Sequence, residues 1–220
     1  MAGVIFLDRA HAGRELAIRL AGFAGRRDVV VLALPRGGVP VAYEVAEALH
    51  APLDVFVVRK VGAPGQEELA LGAVASGGVL ALNEGLVRAF GLEDREVESL
   101  VAREREELSR RESLYRHGRP PLDVRGKVAI LVDDGLATGS SMEAAVQALR
   151  ALAPASIVVA VPVAPPSARA QFARRADDFV CAATPEPFHA VGEWYEEFEQ
   201  VNDEEVQDLL RRAERLPVGA

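Results

Sequence analysis

The residues best suited to chemistry form one unbroken string, Asp133-Asp134-Gly135-Leu136-Ala137-Thr138-Gly139-Ser140-Ser141, directly after the apolar run 128–132. Two adjacent carboxylates leaving a buried strand are unfavourable unless a cleft supplies partners. The residues that follow are small, carry three hydroxyls and open a helix, whose first amides have no partner inside the helix. Such a turn cradles a phosphate monoester. A carboxylate pair beside that cradle is contradictory for a simple anion and coherent for a ribose phosphate. The 5′-phosphate takes the amides, the vicinal hydroxyls donate to the carboxylates, and Mg2+ bridges nearby oxygens. A bland alternative stays open, in which the string only caps a helix and the aspartates are solvated. A nucleotide P-loop fits less well, because the lysine required after the second glycine is absent.

Residues 128–141, Val-Ala-Ile-Leu-Val-Asp-Asp-Gly-Leu-Ala-Thr-Gly-Ser-Ser, resemble the signature with which type I phosphoribosyltransferases bind 5-phosphoribosyl-1-pyrophosphate (PRPP). The likeness extends over about residues 29–162. It implies a Mg2+-dependent transfer of ribose 5-phosphate from PRPP to a nitrogenous acceptor, with nucleobases among the candidates and pyrophosphate as the leaving group. On this resemblance Asp133 and Asp134 hold the ribose hydroxyls and contribute to the metal, and Ala137, Thr138, Gly139, Ser140 and Ser141 wrap the 5′-phosphate. Arg36, Gly37 and Gly38 fall where the family keeps its pyrophosphate loop, with a cis peptide expected at Pro35–Arg36; an ordinary Pro-x-Gly-Gly turn is the alternative.

Residues 59–68 look like the start of the family's mobile catalytic loop. Loss of pyrophosphate leaves an oxocarbenium-like centre that water would capture, so a loop must close, exclude solvent and bring positive charge to the leaving group. Arg59 and Lys60 are the candidates for that charge. Lys60 stands out because the only other lysine is Lys127, although a plain surface lysine in an exposed connection is the alternative. Some purine-using members carry an aspartate as general base at the position of Ala137, which alanine cannot replace. Glu67 and Glu68 are then the candidates for a base. A module that senses PRPP without turnover is the rival function.

These segments need elements to hold them. Continuous apolar runs at 29–34, 128–132 and 157–161, with a shorter one at 179–182, read as buried strands, and 53–58 reads as a further strand. Helical spacing recurs at 8–22, 39–49, 94–116, 140–152, 166–175 and 202–215, the last capped by Asn202 or Asp203. The alternation predicts an α/β fold with an open, mostly parallel sheet flanked by helices, in a single domain over 1–220. Residues 71–75 and 79–82 are expected to pair around Ser76-Gly77-Gly78. The N-terminal segment, the inserted segment 83–121 and the C-terminal segment 183–220 are candidates for a small variable hood or an interface. Phe188, Trp194, Tyr195 and Phe198 in the latter could stack on a flat base, but core packing is the commoner use of such residues.

Composition narrows the partners. A formal charge of −8 argues against a nucleic-acid duplex, whose phosphates require clustered cations. No apolar run is long enough to cross a bilayer and no secretory leader is evident, so a cytoplasmic protein is expected. Cys181 has no second cysteine to pair with, and the four histidines lack metal-ligand spacing, which makes them surface or capping residues. The resemblance implies a homodimer.

Overall fold

Runs of β-branched residues make the centre of this fold, and the segments between them wrap both faces. The computed structural model describes residues 4–217 and 219, with Glu67 and Glu68 described by their backbone alone. In chain order the elements are α1 (Arg9–Arg19), β1 (Val29–Ala33), α2 (Gly38–Leu49), β2 (Leu53–Val55), β3 (Val58–Ala63), β4 (Gln66–Ala75) and β5 (Val79–Leu82). Then follow α3 (Glu84–Ala89), α4 (Asp94–Arg116), β6 (Val128–Val132), α5 (Ser140–Ala151), β7 (Ser156–Val163), α6 (Ala168–Phe172), β8 (Asp178–Ala183) and α7 (Asp203–Ala213).

Five strands in the order β2-β1-β6-β7-β8 form a sheet that is parallel at every pairing, as the alternation predicts. Along β1, Val29, Val31 and Ala33 join a cluster with residues of α1, α2 and α7, while Val30 and Leu32 face α5 and α6. Both faces are thus covered, which is why the strands read as unbroken apolar runs. Burying each large aliphatic side chain contributes roughly 1.5–3 kcal/mol. Ala33 lies in register with Val132, so the turns after β1 and β6 leave the sheet side by side. That adjacency builds the site.

A second, antiparallel sheet, β3-β4-β5, stands beside the first. Its β4–β5 pair turns at Ser76-Gly77-Gly78 as expected, but two expectations fail here. The run 53–58 does not make one strand: β2 ends at Val55, and β3 starts at Val58 in the other sheet. The supposed loop 59–68 is mostly strand, a β3–β4 hairpin turning at Pro64-Gly65 with Gly65 at φ 73°. Its glycines suggest a loop, yet Val61 and Ala63 are buried on one face and the irregularities are bulges at Gly62.

The inserted segment holds α3, which lacks an obvious sequence signal beyond Asn83, whose side chain accepts from Leu86 N at 3.1 Å. Its long helix α4 ends at Arg116, which reaches both carboxylate oxygens of buried Asp54 at 3.0 and 3.1 Å. His50 and His117 are left-handed C-caps of α2 and α4. The helix expected over 166–175 shortens to α6, and that over 8–22 ends at Arg19. Among the described residues no helix is long and apolar enough to cross a membrane.

Candidate active site

The carboxyl ends of adjacent parallel strands are where open α/β sheets hold ligands. Here the turn after β1 carries Arg36-Gly37-Gly38 and the turn after β6 carries Asp133-Asp134. The Pro35–Arg36 peptide is cis, as the resemblance implied. The two turns touch: a Cβ on Gly37 would sit 2.7 Å from Asp134 Cγ and closer still to its Oδ2. A Cβ on Gly38 would sit 2.7 Å from the Val132 carbonyl oxygen. Gly37→Ala should therefore displace the Asp134 carboxylate at a cost of about 1–3 kcal/mol, the usual range for overpacking. Thermal melts would show this loss, and an unchanged melting temperature would contradict the close approach.

The acidic pair is half-buried and asymmetric. Asp133 Oδ1 accepts the Asp134 backbone N–H at 2.9 Å, and among the described residues no cation reaches it. Asp134 Oδ2 accepts from Arg9 Nε at 2.8 Å, and the Asp134 carbonyl accepts from the Tyr195 hydroxyl at 2.6 Å. Burial, then the neighbouring Asp134 charge, pushes the Asp133 carboxyl well above the usual range. Burial raises Asp134 as well, against the opposing pull of Arg9. Burial also raises the Tyr195 hydroxyl, so it stays a donor. A carboxylate held without a cation is poised for a donor or a metal from outside. The pair could supply one or two oxygens to Mg2+, with the ligand supplying the rest, as is common for that ion. No cluster of three or more protein ligands occurs among the described residues.

The cradle starts α5. Gly139 adopts φ 74°, and a Cβ there would meet Gln171 Nε2 at 2.9 Å, so both conformation and space call for glycine. Gln171 on α6 fastens the turn by donating to the Thr138 carbonyl and to Glu143, each at 2.9 Å. Ala137, Thr138, Ser140 and Ser141 are exposed, with the hydroxyls of Thr138 and Ser140 3.2 Å apart. Lys60 Nζ donates to Ser140 Oγ at 2.7 Å, which joins the hairpin to the cradle.

Side chains on a strand alternate between faces, and that alternation divides Arg59 from Lys60. Lys60 reaches α5, whereas Arg59 turns to α4 and bonds Glu104 Oε2 through Nε and Nη2 at 2.9 and 2.7 Å. A cavity of about 610 Å3 between hairpin and helices is lined by both, with Ser141, Arg103 and Glu104. Arg36 Nη1 lies 3.7 Å from Asp203 at the start of α7. Asp203 also accepts from Tyr115 at 2.7 Å, and burial with this bond pushes the Tyr115 hydroxyl up to about 12. The side chains of Glu67 and Glu68, the candidate bases, lie outside the described residues.

Three residues here escaped sequence reasoning: Arg9, Tyr195 as a hydrogen-bond donor, and Gln171. Arg9 and Tyr195 arrive because residues 5–6 pair with residues 194–196. Ile5 and Phe6 N–H groups donate to the Trp194 carbonyl, and the Glu196 N–H donates to Phe6. Trp194 and Tyr195 are buried with Phe6, which is the packing use of these aromatics. This terminal pairing covers the end of β6, while the insert packs against the hairpin.

A family model described as the phosphoribosyl transferase domain matches residues 7–196. Two Mycobacterium tuberculosis proteins, from strains CDC 1551 and H37Rv, each provisionally named a phosphoribosyl transferase, are 49% identical over 211 residues. The match covers 96% of this chain and 47% of theirs, so the chain spans about half the length of those relatives. Among solved structures, TT1426 from Thermus thermophilus is 46% identical with a TM-score of 0.83, over 95% of this chain and 99% of that one.

Proposed function

Because the chain belongs to the phosphoribosyl transferase domain family, we propose that it transfers ribose 5-phosphate from PRPP to a nitrogenous acceptor, a nucleobase being the first candidate, with release of pyrophosphate. The observation that carries this reading is the meeting of three parts at the strand ends: the acidic pair, the amide cradle, and Lys60 bonded to that cradle. A ligand with a phosphate and a diol engages the first two, and a second anionic group would give Lys60 a partner beyond the cradle.

In this reading Ala137 to Ser141 take the 5′-phosphate through the amides at the start of α5 and the three hydroxyls. Asp133 and Asp134 accept from the ribose hydroxyls, which fixes the sugar and keeps C1 in register with the leaving group. Arg36, Gly37, Gly38 and Lys60 receive the pyrophosphate. Asp133 and Asp134 would help to hold Mg2+, which would supply further positive charge to the leaving group. The C1–O bond breaks with its electron pair going to pyrophosphate. The acceptor nitrogen bonds to C1 and gives up a proton, for which Glu67 or Glu68 is the proposed base. Lys60 steadies the charge that builds on the leaving group. The family resemblance further suggests a homodimer acting on small molecules, and the formal charge of −8 speaks against a nucleic-acid duplex as partner.

The test is calorimetric titration with PRPP, with and without Mg2+, followed by a pyrophosphate-release screen over nucleobases and small amines. Binding that strengthens with Mg2+, and release with at least one acceptor, is the expected outcome. Absence of binding at millimolar PRPP would refute the reading. Tight binding without release for any acceptor would transfer the pocket to a sensing module.

A further inference from the structure

Arg9 opens α1, far in sequence from the PRPP signature, yet its guanidinium is built into the acidic site. Nε donates to Asp134 Oδ2 at 2.8 Å, Nη1 donates to the Glu199 carbonyl at 2.7 Å, and Cζ lies 3.9 Å from the Phe198 ring centroid. The side chain is only 12% exposed. Two hydrogen bonds and a stacked ring fix the plane of a guanidinium, whose donors form a rigid fork. The oxygen it holds is the one pressed against Gly37, so Arg9 and the β1 turn grip a single edge of the Asp134 carboxylate. Tyr195, bonded to the Asp134 carbonyl, fixes the backbone beneath it.

We propose that Arg9 is the positioning residue of the ribose site, orienting Asp134 by its Oδ2 edge so that the other oxygen is presented to the ligand. This rests on the PRPP reading above and extends it. A buried arginine is kept only where its charge and donors are matched, and Arg9 has a carboxylate, a carbonyl and a ring. A carboxylate gripped at one edge loses most of its freedom to rotate, so less order has to be imposed when PRPP binds. Asp133, which no cation holds, is left for a hydroxyl or a bridging metal. The pair therefore divides its work, one member oriented from the hood and the other free. Because Arg9 also bonds the Glu199 carbonyl, it ties the segment around Phe198 to the Asp134 carboxylate.

The experiment is PRPP titration in Mg2+ on the full chain, with Arg9→Met, Arg9→Lys, Asp134→Asn and the Arg9→Met/Asp134→Asn pair, each checked by thermal melting. Arg9→Met should bind PRPP about tenfold more weakly, the equivalent of one charge-assisted hydrogen bond. Arg9→Lys keeps the charge without the fork and should recover to within about threefold of the parent. In the Asp134→Asn background, Arg9→Met should add less than about twofold, because the residue acts through that carboxylate. A parent that binds PRPP beside an Arg9→Met variant within about twofold of it would overturn the proposal, as would an equal loss in the Asp134→Asn background. Should Arg9→Met fail to fold, Arg9→Gln takes its place in the same comparison: weaker binding in the parent background and none further in Asp134→Asn supports the proposal, and equality with the parent overturns it. Failure of the parent to bind PRPP would instead strike the function itself.

Discussion

Replacing Asp133 and Asp134 together by asparagine should weaken PRPP binding by about 100-fold or more, since each hydrogen bond to a charged group contributes roughly 1.5–3 kcal/mol. Calorimetry in Mg2+ measures this, and unchanged affinity would remove the diol assignment. The single variants should part company in stability. Burial and the neighbouring Asp134 charge raise the Asp133 carboxyl, so its charged form is less favourable in the folded state than in the unfolded chain. A raised pKa means that the group's contribution to stability is fully present below the ordinary value of 3.8 and is lost as pH rises through the folded value. Asparagine does not titrate, and it can keep the bond from the Asp134 N–H. Asp133→Asn should thus melt higher than the parent at neutral pH, with the gap closing as pH falls towards 4 (about the unfolded value). Asp134→Asn should show no such gain, because it leaves Arg9, nearly buried, without its charge partner. A melting temperature for Asp133→Asn below the parent's across this range would contradict the electrostatic picture.

That contrast shows which parts of the molecule its sequence made legible. The parallel sheet was readable because strands covered on both faces must be apolar throughout, and β6 begins and ends at Val128 and Val132 as the run does. The string from Asp133 to Ser141 was readable because strand end, carboxylates and helix start are contiguous. The β3–β4 hairpin was hidden by Gly62, Pro64 and Gly65, which mark loops in most settings but here make two bulges and a turn. Arg9 was hidden for another reason. Its partner Asp134 is 125 positions away, and a single arginine at the start of a helix carries no local mark of its destination. Local chemistry is written in consecutive residues, whereas Arg9 and Tyr195 reach the site only through the pairing of residues 5–6 with 194–196.

The hairpin sets the sharpest division among the proposed catalytic cations. Lys60→Ala should reduce single-turnover pyrophosphate release by about 100- to 1,000-fold, the range for removing one preorganised charge from a developing anion, with a smaller effect on PRPP affinity. Arg59→Ala should act mainly on stability. Arg59 lines the same cavity as Lys60 and Ser141 but is held on α4 by Glu104, whose side chain is 10% exposed. Loss of the arginine leaves that carboxylate buried without its closest partner, at roughly 1–3 kcal/mol, less whatever solvent reaches the half-open arginine. Glu104→Gln separates the two roles. If Arg59 stays with α4 during turnover, Glu104→Gln and Arg59→Ala will lower the melting temperature together and spare the chemistry relative to Lys60→Ala. If Arg59 instead leaves Glu104 to meet pyrophosphate, Arg59→Ala will be as severe in turnover as Lys60→Ala, while Glu104→Gln, which frees the arginine, will not slow the step. The first outcome makes the hairpin a fixed wall carrying one cation; the second makes it a moving one carrying two.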